Sequence, residues 1–369
     1  MTIQDRSDAL TPEQTANLKE FWRLLLALFQ QSPNTTPSKA GPSSDLTGDE
    51  LRTAFWAFVK YDNPDCLILR YLRARKWDVE KALAMMLKTF KWRKAVNIDE
   101  IVKQGELHAL KTRDEGFMHQ LRSGKSYIYG KDKEGRPVCM IPARLHKAGD
   151  QSQESLEKFT VYLMETTRLL HQAPVDTSTI LFDMTGFGLA NLDYAPIKFM
   201  AMCFEAHYPE YLGLCLIHNA PWFFQSIWKI IKGWLDPVVA SKVRFTSGVS
   251  GLFEYLDKDN IPKSLGGSKD WLYEYKEPLS GENRSIDNPT DEEREQKKIL
   301  ESDRWSTIKE YEAVTMKWGE ESSTTPTQGG DPDSRNILKK ELIARNRALD
   351  RFVRARTYYD RIGMVENSN

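Results

Sequence analysis

Residues Tyr208 to Lys242 read YPEYLGLCLIHNAPWFFQSIWKIIKGWLDPVVASK, and the order of the parts in this stretch decides the fold. Leu214–His218 is a short run that is apolar on both sides, as a central strand covered on both faces must be. Pro221 then opens a helix-length segment that is greasy almost all round, with Trp222, Phe223, Phe224, Ile227, Trp228, Ile230, Ile231 and Trp234. On a water-soluble body such a helix covers something apolar or meets a membrane. Gln225, Lys229 and Lys232 interrupt it. Pro221 and Pro237 fence it to about fifteen residues, too few to span a bilayer. A greasy lid on a soluble body points to the handling of lipid.

The strand and helix pattern extends to either side. Ser126–Lys131 and Pro137–Ile141 are strand-like and flank Asp132-Lys133-Glu134-Gly135, a hairpin turn with glycine where positive φ is needed. Helix Glu154–Leu170, strand Ser178–Met184, helix Ala195–His207, strand Leu214–His218, the greasy helix and strand Val243–Ser247 follow in turn. Strands alternating with helices imply crossover units, so the fold class is α/β with a mostly parallel sheet.

Upstream the chain is helical. Thr11-Pro12-Glu13-Gln14 is a capping box with proline at the first helical position, and Thr47-x-x-Glu50 is a second box. Short helices are expected over Asp65–Arg75 and Asp78–Ala95. Ser32–Leu46 and Glu321–Asp333 are rich in Ser, Thr, Pro and Gly and read as linkers. Past Pro278 the sequence GENRSIDNPTDEEREQKK is poor core material. A last helix is expected over Ser334–Ile362. It has a basic face (Lys339, Lys340, Arg345, Arg347, Arg351, Arg354, Arg356) and an apolar face (Leu338, Leu342, Leu349, Phe352, Val353) that reads as docked on the core. The divisions predicted are 1–47, an N-terminal helix and linker; 48–110, a helical unit; 111–277, the α/β lobe; and 278–369, a charged linker and the C-terminal basic helix.

Composition excludes several functions. The 369 residues carry 52 Lys+Arg and 52 Asp+Glu, so no net field draws the chain to nucleic acid. The four cysteines, Cys66, Cys139, Cys203 and Cys215, form no C-x-x-C pair and read as reduced thiols of a cytoplasmic protein. MTIQDRSDAL has no apolar core of a secretory signal. The six histidines (His108, His119, His146, His171, His207, His218) make no metal motif, and there is no phosphate-cradling glycine loop. Gly248-Val249-Ser250-Gly251-Leu252 lacks the last glycine of a hydrolase elbow. Asp183 reads as a cap or ion-pair partner at a strand end, and His218 as a hydrogen-bonded core residue. No enzyme, metal or cofactor is expected. Arg73-Ala74-Arg75-Lys76 closes a helix, where cations also suit the dipole.

The run Leu67-Ile68-Leu69-Arg70-Tyr71-Leu72-Arg73-Ala74-Arg75-Lys76-Trp77-Asp78 resembles the opening helix of the CRAL-TRIO lipid-transfer family. Lys91-Trp92-Arg93, Asp132-x-Glu134-Gly135-Arg136-Pro137-Val138, Tyr208-Pro209-Glu210, Asn219-Ala220-Pro221, Leu235-Asp236-Pro237 and Leu265-Gly266-Gly267 follow in the family's order. The resemblance covers residues 48–277 and is nearest to the yeast-type, Sec-fourteen-like phosphatidylinositol transfer proteins. It implies a small helical N-terminal unit, then a CRAL-TRIO lobe whose sheet floors an apolar lipid cavity under a gate helix.

By the same resemblance, Arg75, Lys76, Glu210 and Lys242 bind the phosphatidylinositol head group. Arginine suits the phosphodiester, and a carboxylate suits the ring hydroxyls. The gate is carried by Trp222, Phe223, Phe224, Ile227, Trp228, Ile231 and Trp234. Ser178 is a candidate for a second ligand, since relatives that carry phosphatidylcholine have a Ser-x-Thr pair there. Here Ile180 replaces the second hydroxyl, Cys139 stands where tyrosine is common, and Val239 lacks a hydroxyl found in some relatives. The expected function is exchange of phosphatidylinositol between membranes, with the phospholipid as cargo. The expected protein is a cytoplasmic monomer that touches membranes transiently and binds no nucleic acid. The alternatives are a carrier of sterol, squalene or another apolar ligand, and a lipid-gated adaptor for lipid kinases or trafficking.

Overall fold

The computed structural model describes residues 10–31, 46–320 and 332–365. The stretches 32–45 and 321–331, expected as linkers, lie outside the described residues. The chain forms two compact units: the described residues up to Asp99 with Asn283–Arg354, and Glu100–Glu282 with the segment from Ala355 onward.

The first unit is all helical. Helices Pro12–Phe29 and Gly48–Val59 begin at the two capping boxes, with Thr11 and Gln14 bonding reciprocally and Thr47 and Glu50 doing the same. Helix Pro64–Ala74 starts one residue before the expected Asp65, because Asn63 caps it and Pro64 fits the first helical position. Asp78 caps helix Val79–Val96, accepting from the Lys81 amide at 3.0 Å.

Beyond Pro278 the structure departs from the sequence reading. The charged stretch expected as a linker holds a 30-residue helix, Asp291–Glu320. A helix needs an apolar residue only at every third or fourth position to dock, and Ile308, Tyr311 and Thr315 are wholly buried along one face. The last helix is also shorter than expected. It runs Pro332–Val353, and after a break a separate turn, Tyr358–Arg361, is capped by Thr357. Leu338, Leu342, Leu349 and Phe352 are buried while Val353 is exposed. The basic face is not a continuous stripe. Arg335 and Lys339 turn inward to Asp65 at 2.8 and 2.7 Å, and Arg345 meets Asp303 at 3.0 Å.

Asp65 is the polar centre of this unit. Trp22 Nε1 donates to it at 2.7 Å and the Tyr311 hydroxyl at 3.1 Å. Around it Trp22, Phe55, Trp56 and Tyr311 pack edge to face, with centroids 5.0 to 5.8 Å apart.

The second unit is built on a five-stranded sheet of β1 (Tyr127–Lys131), β2 (Pro137–Pro142), β3 (Ser178–Asp183), β4 (Leu212–His218) and β5 (Val243–Thr246), in that spatial order. β1 and β2 form the expected antiparallel hairpin, and β2 through β5 are parallel. Side chains alternate across the pleat. Val138, Met140, Leu181, Leu214 and Leu216 point to one face, where Leu252, Leu256 and Ile261 complete a packed core. The other face is covered by helices Gln153–Leu169, Tyr194–Met202 and Phe224–Lys232. The expected helix Ala195–His207 ends at Met202 and continues as a wide π-turn over Cys203–His207.

The chain's last described segment closes this unit. Glu106 is fully buried and accepts from the Tyr162 hydroxyl at 2.7 Å, the Tyr275 hydroxyl at 2.8 Å and the Tyr358 amide at 2.8 Å. It also pairs with Arg361. Gly105 beside it has φ +57°, and a Cβ there would come within 2.5 Å of the Ala355 side chain. The position requires glycine on both counts.

Burial opposes the charge of Asp65, but Arg335 and Lys339 outweigh it and hold the carboxyl at about 2. A carboxyl held below its unfolded value of about 3.9 stabilises the fold above that pH, and its contribution is lost as pH falls through the folded value. Urea titration should therefore show on the order of 2 kcal/mol disappearing between about pH 4 and pH 2. Asp65→Ala, which strands the buried Arg335 and the partly buried Lys339, should cost about 3–5 kcal/mol at neutral pH. A variant as stable as wild type would show the cluster to be dispensable.

Candidate functional site

The face of the sheet opposite the packed core is the floor of a cavity of about 270 Å³. Alternation supplies the floor: Cys139 and Ile141 from β2, Ile180 and Phe182 from β3, Cys215 and Ile217 from β4. Leu156, Phe159, Leu163 and Met164 of helix Gln153–Leu169 form one wall, with Ile197 and Met200 of the following helix beside them. Phe224, Trp228 and Ile231 form the lid.

The lid helix is shorter and more two-sided than its sequence suggests. It spans Phe224–Lys232, nine residues, with Phe223 at its N-cap and Gly233 at its C-cap. Phe224, Ile227 and Ile231 are buried, whereas Ile230 is half exposed and Trp222, in the preceding turn, is 89% exposed. Trp234 lies past the helix, edge-on to Tyr194 at 5.2 Å and beneath the Lys198 ammonium at 4.5 Å. Of the seven gate positions, Phe224, Trp228 and Ile231 line the cavity. Lys229 and Lys232 face solvent with Ile230, so the outer surface of the lid mixes cations with apolar side chains.

The proposed head-group residues fall on both units. Glu210 and Lys242 precede β4 and β5 and pair at 3.0 Å, each less than one-fifth exposed. Glu210 has φ +59°, a left-handed conformation that turns the chain between Tyr208 and Tyr211, both cavity-lining. Val243, next to Lys242, lines the cavity as well. Arg75 and Lys76 belong to the first unit, at the end of helix Pro64–Ala74. Lys76 and Trp77 are successive non-glycine residues with φ of 52° and 66°. Their amides donate to Arg73 and Leu72 carbonyls at 3.0 and 2.7 Å. Such conformations cost about 1–3 kcal/mol each and concentrate at functional positions.

Ser178, the candidate for a second ligand, lines the cavity at the start of β3 within a polar cluster whose other members sequence reasoning missed. Ser178 Oγ lies 2.8 Å from His171 Nε2. His171 stacks on Tyr211 at 6.2 Å, with the Arg168 guanidinium 5.5 Å over the same ring. Arg168 pairs with Glu165 at 3.1 Å, and Glu165 accepts from the Tyr208 hydroxyl at 2.8 Å. Glu165 and Arg168 sit three apart on the inward face of an amphipathic helix, a signal legible in retrospect. Elsewhere, His218 bonds Thr246 Oγ1 at 3.0 Å, and Asp183 accepts from the Thr185 amide at 3.0 Å. Burial lowers the His218 pKa, against the opposing pull of Asp183. Among the described residues no cluster suits a metal ion, and no helix is long and apolar enough to cross a membrane.

Residues 121–267 match the CRAL/TRIO domain, and residues 17–88 match the CRAL/TRIO N-terminal domain. A CRAL-TRIO domain-containing protein of Schizosaccharomyces pombe is 47% identical over 328 residues, which cover 88% of this chain and 70% of that one. The phosphatidylinositol transfer protein CSR1 of Eremothecium gossypii is 38% identical over 358 residues, 96% of this chain and 77% of the relative. The crystal structure of Sfh5 shares the fold at a TM-score of 0.51 and 16% identity, over 79% of this chain and 98% of that one. The chain belongs to the CRAL-TRIO family. The helical N-terminal domain and the α/β lobe with its mostly parallel sheet are the architecture its sequence predicts. Relatives are named as transfer proteins and not as enzymes.

Burial pushes the Cys139 and Cys215 thiols, both on the cavity floor, up to about 12. The thiolate is the reactive form, so iodoacetamide at about pH 8 should alkylate them roughly a thousandfold more slowly than an exposed thiol. Peptide mapping over time checks this. Prompt labelling of Cys215 in the absence of membranes would mean that the lid stands open in solution.

Proposed function

We propose that the protein holds one phosphatidylinositol in the lidded cavity and exchanges it between membranes. The observation that carries this reading is an apolar cavity whose lining includes Tyr208, Tyr211 and Val243, the neighbours in sequence of the largely buried Glu210–Lys242 pair. A relative named as a phosphatidylinositol transfer protein, 38% identical along nearly the whole chain, supports it. Glu210 suits the ring hydroxyls and Lys242 the phosphodiester. The roles of Arg75 and Lys76 carry over from the family pattern alone.

Exchange of this kind requires no covalent step. Burying a sixteen-carbon chain is worth on the order of 10 kcal/mol at ~0.8 per methylene, and the bilayer offers nearly the same. The cavity has to match the membrane, not exceed it, and the lid has to keep water out in transit. The exposed Trp222 and Ile230, flanked by Lys229 and Lys232, fit the lid to an anionic membrane surface.

A more apolar cargo, sterol or squalene, is the second reading. It is favoured by Ile180 and Cys139 on the cavity floor, where a hydroxyl would serve a polar head. Extraction of the purified protein and mass spectrometry of its lipid separates the two.

Transfer of labelled phosphatidylinositol between vesicles should fall by about tenfold or more in Lys76→Ala/Lys242→Ala, with the melting temperature unchanged, the scale of one lost charge-assisted contact. Wild-type transfer by that double variant would sink the head-group assignment. Trp222→Ser removes an exposed side chain, so it should leave stability unchanged while slowing exchange severalfold and weakening vesicle binding. Unaltered vesicle binding would place the membrane contact elsewhere.

A further inference from the structure

The cavity wall carries a buried cation at the edge of the sheet opposite Glu210 and Lys242. Those two residues precede β4 and β5 and so lie where the parallel strands begin. Lys125 precedes β1, which runs antiparallel to β2 with Tyr127 opposite Met140, so it lies where β2 ends. It lines the cavity beside Gln120 and Ser126 and is 5% exposed. Its ammonium donates to Gln151 Oε1. Among the described residues no carboxylate stands within ion-pairing distance of it. Asp150 and Asp193 favour its charge through space but are engaged by His119 at 3.6 Å and His146 at 3.2 Å.

An ammonium in an apolar wall is costly to desolvate, and burial lowers its pKa accordingly. Methionine or leucine would fill the same wall without that cost. An anion arriving with the cargo recovers it, since a charge-assisted contact gains strength where water is excluded.

We infer that Lys125 anchors the anionic head of a second class of cargo, an apolar chain ending in a carboxylate or a phosphodiester. This cargo lies in the reverse orientation to a lipid whose head is at Glu210 and Lys242. Its chain runs along helix Gln153–Leu169, whose lining residues extend from Leu156 to Arg168, about 18 Å at 1.5 Å per residue. The inference requires a lipid-holding cavity and not inositol selectivity.

The test uses the full-length protein and three probes: a fluorescent long-chain polyene fatty acid, its methyl ester, and phosphatidylglycerol offered in phosphatidylcholine vesicles. Wild-type protein should bind the acid about tenfold more tightly than the ester if the carboxylate is the ligand, or take up phosphatidylglycerol over phosphatidylcholine by a similar factor if the phosphodiester is. Lys125→Met should erase whichever preference is found, keep phosphatidylinositol transfer within about twofold, and melt at or above the wild-type temperature. Equal binding of acid and ester by wild type, with no preference for phosphatidylglycerol, would overturn the inference without any variant. A preference that survives in a folded Lys125→Met protein would overturn it too. Failure of inositol-lipid transfer in wild type, with the Lys125-dependent preference intact, would count against the phosphatidylinositol reading alone.

Discussion

A parallel sheet has to be kept from water on both faces, and in this protein the two faces meet that demand differently. The pleat sends Val138, Met140, Leu181, Leu214 and Leu216 into a packed core and their neighbours Cys139, Ile141, Ile180, Phe182, Cys215 and Ile217 into a cavity. The second face is dry only while something covers it. Hence the wall helices, and hence a lid whose inner side, Phe224, Ile227 and Ile231, is as apolar as the floor beneath it. The lid's outer side is under a different constraint, since it faces water and carries cations among its apolar side chains.

Charge is distributed by the same logic. In the first unit Asp65 holds two cations and two ring donors in a closed cluster, where every charge has a partner and the result is structural. In the second unit, ionisable side chains stand on the walls of the cavity, as with Arg168, His171 and Lys125. A partnered buried ion specifies an arrangement, while an ion facing a cavity also selects what enters it.

Strands and caps were legible because they are local. The strands fall within two residues of their expected positions, and both capping boxes form. The helix Asp291–Glu320 was not legible, because its apolar side chains are sparse and its average is polar. What docks it and the last helix is chosen at long range: Arg335 is 270 residues from Asp65. The candidate site divides in the same way. Glu210 and Lys242 were found through a family pattern, and no local rule predicts that they meet at 3.0 Å across 32 residues. His171 and Lys125 gave no signal, and the spacing of Glu165 and Arg168 says only that they share a helix face, because nothing in these neighbourhoods says that the side chains face one cavity. That fact belongs to the strand order and the register.

The buried Glu106 has a consequence for how the protein is made. Its partners Tyr162 and Tyr275 lie within the second unit's main stretch, but Arg361 and the Tyr358 amide come from the far end of the chain, after the intervening helices of the first unit. On a ribosome, which emits the chain from its N-terminus, the lobe therefore waits with a carboxylate unneutralised in its interior until residue 361 has emerged. The lobe cannot take its final form before the helices of the first unit have been made. Completion of the lobe is thus coupled to synthesis of the first unit, whose last helix, Pro332–Val353, precedes Tyr358 and Arg361 in the chain.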